Sequence, residues 1–255
     1  MIRTENIWKY FEDDKPVLRN VTLHFEQGKT NLIIGRSGSG KTVLMKCLVG
    51  LLEADKGRIF YDDRDFSAMG FKARKVIRKE MGMLFQGAAL FDSMTVEDNI
   101  TFPLNMFTRM SRTEKKKRVD FCLDRVNLGA VHGLLPSELS GGMKKRVAIA
   151  RAISIKPKYL FCDEPNSGLD PPTAILIDKL ISEITHDFNI TTVVNTHDMN
   201  SVMEIGDTVA FIHKGDLWWT GSKDDVLHTC NKQLNEFVYA TELMRTIQNQ
   251  TQEGE

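Results

Sequence analysis

The run Gly35-Arg36-Ser37-Gly38-Ser39-Gly40-Lys41-Thr42 has the residue types and spacing to hold a chain of phosphates, since it fits G-x-x-x-x-G-K-[ST]. Glycines let successive backbone N–H groups turn inward around phosphate oxygens. Lys41 brings positive charge to the β- and γ-phosphates, the Thr42 hydroxyl is offered to Mg2+, and Val43 closes the nucleotide-binding set. The alternative is a glycine turn that binds nothing. A second pair of reactive groups ends the apolar run Tyr159-Leu160-Phe161-Cys162: the acids Asp163 and Glu164. Asp163 is expected to partner Mg2+, directly or through water, and Glu164 to polarise an attacking water. The competing reading is two acids that cap a turn, stopped by Pro165.

A third stretch, Ser140-Gly141-Gly142, opens the helical run Leu139–Ile153. Each glycine inside a helix costs roughly 0.5–1 kcal/mol relative to alanine, so a pair at the start calls for a reason. Free N–H groups and the positive end of the helix dipole form an anion site there, and glycine lets a ligand come close. One nucleotide needs only one cradle. The second is therefore either structural or serves the nucleotide of a second chain. An ordinary serine N-cap explains Ser140 but not the paired glycines.

The elements that must position these groups follow from the apolar pattern. Strands are expected at Val21–Phe25, Thr30–Ile34, Gly57–Tyr61, Met81–Phe85, Tyr159–Cys162, Thr191–Val194 and Val209–His213. Helices are expected from about 41 to 52 and at Thr95–Phe107, Thr113–Val126, Ser140–Ser154 and Pro171–His186. On the helix Ser140–Ser154, Met143, Val147 and Ala150 recur at helical spacing, with Lys144, Lys145, Arg146 and Arg151 mostly on other faces. Strands alternating with helices predict an α/β fold around a mostly parallel sheet covered on both faces. A helical subdomain at about 88–155 interrupts a core made of about 1–87 and 156–230. A loosely amphipathic helix at Gln233–Ile247 and a polar tail make a C-terminal extension, 231–255.

Composition narrows the function further. The 255 residues are 42% hydrophobic and 27% charged, with 34 basic and 34 acidic side chains. A net charge of zero argues against an electrostatic nucleic-acid binder. No apolar run reaches the ~18–20 residues of a membrane span, and the first residues lack a signal-peptide pattern. Cys47, Cys122, Cys162 and Cys230 form no C-x-x-C pair and are expected to be reduced and mostly buried, as in a cytosolic protein.

Leu139-Ser140-Gly141-Gly142 resembles the signature of ATP-binding cassette (ABC) ATPases, and other stations follow in order. Gln86 resembles the Q-loop glutamine, Ser167-Gly168-Leu169-Asp170 the D-loop, and His197 the switch histidine. Phe11 resembles the aromatic that stacks on adenine, with Tyr10 as the alternative. The resemblance covers about residues 2–230. It implies a P-loop NTPase core with an N-terminal antiparallel β part and ATP hydrolysis with Mg2+. Catalytic roles then fall to Glu164, His197, Gln86 and Lys41, and metal contacts to Thr42, Gln86 and Asp163. It also implies a head-to-tail homodimer in which Ser140, Gly141 and Gly142 of one chain meet the nucleotide of the other. Asn166 departs from the pattern, where many relatives carry threonine.

The kind of cassette is narrowed by further stretches. The chain has one cassette, no long coiled coil, no C-x-x-C hook, no basic excess and no N-K-x-D, which weakens DNA-repair, translation and GTPase readings. Gly82-Met83-Leu84-Phe85-Gln86-Gly87-Ala88-Ala89-Leu90-Phe91-Asp92-Ser93-Met94-Thr95-Val96 resembles the ATPases of Mla/Mce-type lipid transporters, and Met143 points the same way. That resemblance implies integral permease subunits, an Mce-domain substrate-binding protein, no nucleic acid, and a peripheral place on the cytoplasmic side of the inner membrane. The cassettes of other transporters are the alternative. The apolar run Gly87–Phe91 is expected either to receive a short helix of a membrane subunit or to pack the helical subdomain on the core.

Overall fold

The computed structural model describes residues 1–12 and 15–239. In chain order the first elements are β1 (Ile2–Glu12), β2 (Lys15–Phe25), β3 (Thr30–Ile34), α1 (Lys41–Leu48), β4 (Lys56–Tyr61), β5 (Arg64–Asp65), α2 (Phe71–Arg78) and β6 (Met81–Leu84). Three helices follow, α3 (Val96–Phe107), α4 (Arg112–Arg125) and α5 (Gly141–Ile153). The chain then forms β7 (Tyr159–Asp163), α6 (Pro171–Asp187), β8 (Thr191–Thr196), α7 (Met199–Ile205), β9 (Thr208–His213), β10 (Asp216–Gly221), α8 (Lys223–Leu227) and α9 (Lys232–Val238). Helix starts are chemically marked. Thr95 and Ser111 form capping boxes with Asp98 and Glu114, while Ser140 and Asp170 cap α5 and α6.

The strands run β5-β4-β1-β2-β10-β9-β3-β8-β7-β6 across the sheet. Strands β6, β7, β8, β3 and β9 pair in parallel, while β1, β2, β4 and β5 pair antiparallel. A single parallel bridge, Asp216 to Arg19, joins the two parts, and the side chains of those residues form an ion pair. Strand alternation divides the interior into two cores. Leu32, Ile34, Leu160 and Cys162 point to the side covered by α3 to α7. Ile33, Tyr159 and Phe161 point to the other side, where α1 is held between the parallel strands and the antiparallel strands. The central strand β3 is buried at every residue, as a strand covered on both faces requires.

The expected fold class is what the chain adopts; the expected strands and helices are present with shifted ends, and β1, β5, α2 and β10 fall outside those expectations. Strand β1 was not visible in the apolar pattern because a left-handed residue breaks its alternation. Asn6 has φ 52°, and the pairing register shifts there against both neighbours. Ile2 and Thr4 are buried before the bulge and Ile7 after it, so the period of two is lost. Gly57 on β4 accommodates that bulge, since a Cβ there would stand 2.3 Å from the Asn6 carbonyl oxygen. Lys145 corrects the helix reading: it is 5% exposed and on the inner face of α5. Of the four cysteines, Cys47, Cys122 and Cys162 are buried and Cys230 is exposed. At the C-terminal extension, Leu234, Phe237 and Val238 of α9 join the core, and Leu243, Met244 and Ile247 of the expected helix lie outside the described residues.

Candidate active site

Strands β3, β7 and β8 are adjacent and parallel, so their carboxyl ends bring Ile34, Asp163 and Thr196 to one edge. Ligands of open α/β sheets bind outside that edge. The loop 35–40 leaves β3 here and enters α1. Gly35 lies at φ 149° against β9, where a Cβ would meet the Ile212 carbonyl oxygen at 2.2 Å. Gly38, at φ 77°, has open space where its Cβ would be, so the backbone is accessible to a ligand. Arg36 and Ser37 are exposed on the same loop. Gly40 packs against Leu18 and the Val17 carbonyl of β2, which brings the β1–β2 end beside the loop. Phe11, near the end of β1, is 59% exposed, whereas Tyr10 stacks on Trp8. The exposed ring of Phe11 is thus the more available of the two aromatic candidates.

Lys41 is 5% exposed and donates to the carbonyls of Gly35 at 2.7 Å and Arg36 at 3.2 Å. Burial lowers its pKa, and the charges of Glu164 and Asp163 oppose that shift. The ammonium is therefore held between the loop and the acids. Thr42 Oγ1 donates to Asp163 Oδ1 at 3.2 Å, and Asn195 Nδ2 donates to the same oxygen at 3.0 Å. Asn195 was missed by the sequence reading. It is buried in β8 and orients Asp163 from the neighbouring strand.

Glu164 stands at φ 47°, its N–H bound to the Asn195 carbonyl, and its Oε1 lies 3.0 Å from His197 Nδ1. The left-handed turn aims the carboxylate out of the strand direction and toward the loop after β8. A cleft of about 190 Å³ is lined by Glu164, Asn166, Ser167, Gly168, Thr196, His197 and Asp198. Gln86 is exposed just past β6, and its amide donates to Ser167 Oγ at 3.2 Å. Lys145 of α5 donates to the Gln86 backbone carbonyl. Sequence spacing gave no sign of this, because a lysine beside charged neighbours reads as solvent-facing.

Ser140, Gly141 and Gly142 lie at the start of α5, against Leu169 before α6 and Thr173 at its start. Ser140 Oγ accepts from the Met143 N–H at 3.2 Å. A Cβ on Gly142 would lie 2.6 Å from Thr173 Cγ2, whereas one on Gly141 would meet only Leu169 Cδ2 at 3.5 Å. The two glycines thus have different reasons: helix packing requires Gly142, and that requirement is absent at the exposed Gly141. Asp170 caps α6 by accepting from Thr173 N–H and Oγ1, bonds that hold its carboxyl below the usual range.

The oxygens of Thr42 and Asp163 suit Mg2+, which typically binds one or two carboxylates and completes its shell with phosphate and water. Among the described residues no group of three or more His, Cys, Asp or Glu side chains is placed to hold a metal ion. Buried Ser39 Oγ, which has no hydrogen-bond partner among the described residues, is a further polar group in the phosphate loop.

The family model described as ABC transporter matches residues 18–167. The methionine import ATP-binding protein MetN of Clostridioides difficile is 37% identical over 238 residues, 93% of this chain and 74% of that protein. MetN of Clostridium tetani is 38% identical over 244 residues, 96% of this chain and 76% of its relative. Among solved structures, cbiO1 from Clostridium perfringens, part of the ABC transporter complex cbiONQ, matches with a TM-score of 0.84 and 28% identity over 98% of each chain. The dimeric ATP-binding cassette MJ0796 in a post-hydrolysis state with ADP and phosphate matches with a TM-score of 0.80 and 29% identity, covering 88% of this chain and 99% of its own. The relatives named here are methionine importers, so the expected likeness to lipid-transport cassettes is not supported by them. With the phosphate loop, the paired acids and the histidine gathered at one sheet edge, this chain belongs to the ABC transporter family as an ATP-binding and ATP-hydrolysing cassette.

Proposed function

We propose that the chain is the ATPase subunit of a membrane transporter and works as a head-to-tail homodimer on integral permease subunits. The observation that carries the catalytic reading is the convergence of Lys41, the Thr42–Asp163 pair and the Glu164–His197 pair at one sheet edge. The loop 35–42 and Lys41 hold phosphates, Thr42, Asp163 and Gln86 hold Mg2+, and Phe11 faces the adenine. Bound Mg2+ would neutralise phosphate charge. Glu164 accepts a proton from water, and His197 fixes the carboxylate while contacting the terminal phosphate. The exposed Gly141, with the dipole of α5 behind it, serves the nucleotide of the partner chain.

Such a subunit sits peripherally on the cytoplasmic face of the membrane. No helix among the described residues is long and apolar enough to cross one. The surface after Gln86 fits a permease contact. Arg151 donates to the Ala88 and Ala89 carbonyls at 2.9 and 2.7 Å, holding two left-handed residues, and Phe91 remains 40% exposed against Phe102. Leu90 is half-buried against the core, so Phe91 rather than Leu90 carries the docking reading.

For the cargo, two readings rest on different observations. The Gly82–Val96 run and Met143 support a phospholipid or other lipid, with an Mce-domain protein as partner. This run includes the permease-facing surface, where cassettes of different transporters should differ most. The printed names of the relatives support methionine, and that likeness includes the catalytic motifs common to all cassettes. Purifying the chain with its membrane subunits and measuring co-purified phospholipid and labelled-methionine uptake separates the two. Methionine uptake dependent on Lys41, without bound lipid, refutes the lipid reading. ATP hydrolysis that survives both Lys41→Ala and Glu164→Gln refutes the catalytic one.

A further inference from the structure

Beside the catalytic cleft, starting at its half-buried wall residue Asn166, lies a polar chain that the reaction itself does not use. Asn166 follows Glu164 by two residues and precedes Ser167, the partner of Gln86. Its Nδ2 donates to Ser201 Oγ on α7 at 3.1 Å. Ser201 is 1% exposed and Asp178, on α6, 2% exposed; Asn166 and Asp178 line one small cavity, and the side chains of Ser201 and Asn166 both favour the charged Asp178 carboxyl. Asp178 Oδ1 and Asn166 Oδ1 have no hydrogen-bond partner among the described residues. A buried acid is costly unless it is paired, and no basic side chain is among the groups that set its charge. The groups facing it are Asp198, which caps α7, Glu204 on α7 and Cys162 on β7, alongside Ser201 and Asn166.

This placement ties together three pieces of the site. Asp178 is on the helix capped by Asp170, Ser201 on the helix that follows His197, and Asn166 in the turn that carries Glu164. We propose that Asp178 is a positioning residue: through Ser201 and Asn166 it locks the Glu164–Ser167 turn to α6 and α7, and so holds Glu164 against His197. The proposal rests on the catalytic reading of Glu164. It also accounts for asparagine at 166, since its amide donates to Ser201 and favours the charged form of Asp178.

The test is steady-state ATP hydrolysis by the full chain, with kcat and KM for ATP separated. Asp178→Leu keeps the branched shape but removes the acceptor, and should lower kcat five- to twentyfold with KM within twofold of wild type. Asp178→Asn keeps an acceptor for Ser201 and offers an amide to the orphaned Asn166 Oδ1, so it should retain kcat within twofold. Ser201→Ala breaks the middle link with minimal change in packing, and serves if Asp178→Leu does not fold. Combined with Asn166→Ala it should fall no further than the worse single variant, because both cut one chain. Wild-type kcat in folded Asp178→Leu or Ser201→Ala, additive losses, or an equal loss in Asp178→Asn overturns the proposal. Glu164→Gln run alongside separates the failures: if that variant hydrolyses ATP normally, the catalytic reading has failed instead.

Discussion

A methyl group added at Gly142 tests whether α5 and α6 meet as closely as the structure requires. Its Cβ would stand 2.6 Å from Thr173 Cγ2, about 1 Å inside the usual carbon–carbon contact of ~3.5–4.0 Å. Thr173 is not free to turn away, because its N–H and hydroxyl both bind Asp170, the cap of α6. Overpacking of this kind costs about 1–3 kcal/mol, against ~0.5–1 kcal/mol gained from alanine's helix propensity. Gly142→Ala should therefore destabilise the chain by about 1–2 kcal/mol, or on the order of 2–8 °C in Tm. Gly141→Ala meets only ordinary contact with Leu169 and should leave Tm unchanged or slightly raised. Thr173→Ser removes the clashing methyl but keeps the hydroxyl for Asp170, so it should restore most of the loss in the Gly142→Ala background. Thermal and urea unfolding of wild type and the three variants measures this. Equal stability of Gly142→Ala and wild type, or no recovery with Thr173→Ser, would refute the packing account of the second glycine.

Glu164→Gln should lower turnover by roughly 10²–10⁴ while ATP still binds, which equilibrium binding and steady-state hydrolysis check together. Gly141→Asp should leave nucleotide affinity of the single chain intact but block ATP-driven pairing, as read by sedimentation; weakened ATP binding in the folded monomer would show that the cradle serves its own chain. Phe91→Asp should reduce co-purification with the permease without changing nucleotide affinity, and undiminished recovery would place the contact elsewhere. Asp178 gives a pH test. Burial pushes its carboxyl up to about 6 from 3.8, so the native state holds the proton more tightly and its contribution to stability is lost as pH rises through about 6. Asp178→Asn should therefore exceed wild type in stability at pH 8, by at most about 3 kcal/mol, and the gap should shrink below pH 5. Parallel urea curves at both pH values with an unchanged gap would contradict this.

Local chemistry made much of the molecule legible from its residues. The phosphate loop is contiguous, so its glycines, Lys41 and Thr42 declare themselves without knowledge of the fold. The strands Thr30–Ile34 and Tyr159–Asp163 are buried on both faces, and a continuous apolar run ending in Asp163 and Glu164 is enough to place those acids at a sheet end. Ser140 was legible as a helix cap for the same reason: it acts on the Met143 N–H, only three residues away. The sequence left unresolved whatever depends on partners distant along the chain. Strand β1 escaped because its bulge at Asn6 is stabilised by Gly57 across the sheet. The burial of Lys145 depends on the backbone carbonyl of Gln86, 59 residues away. Asn195 orients Asp163 only because β8 lies beside β7. The need for Gly142 arises where α5 meets α6, and the chain of Asn166, Ser201 and Asp178 exists only once α6 and α7 pack together. Short-range spacing encodes which chemistry is available. Packing between elements decides which of those groups face one another, because burial and hydrogen-bond partners are set by surfaces that sequence distance does not describe.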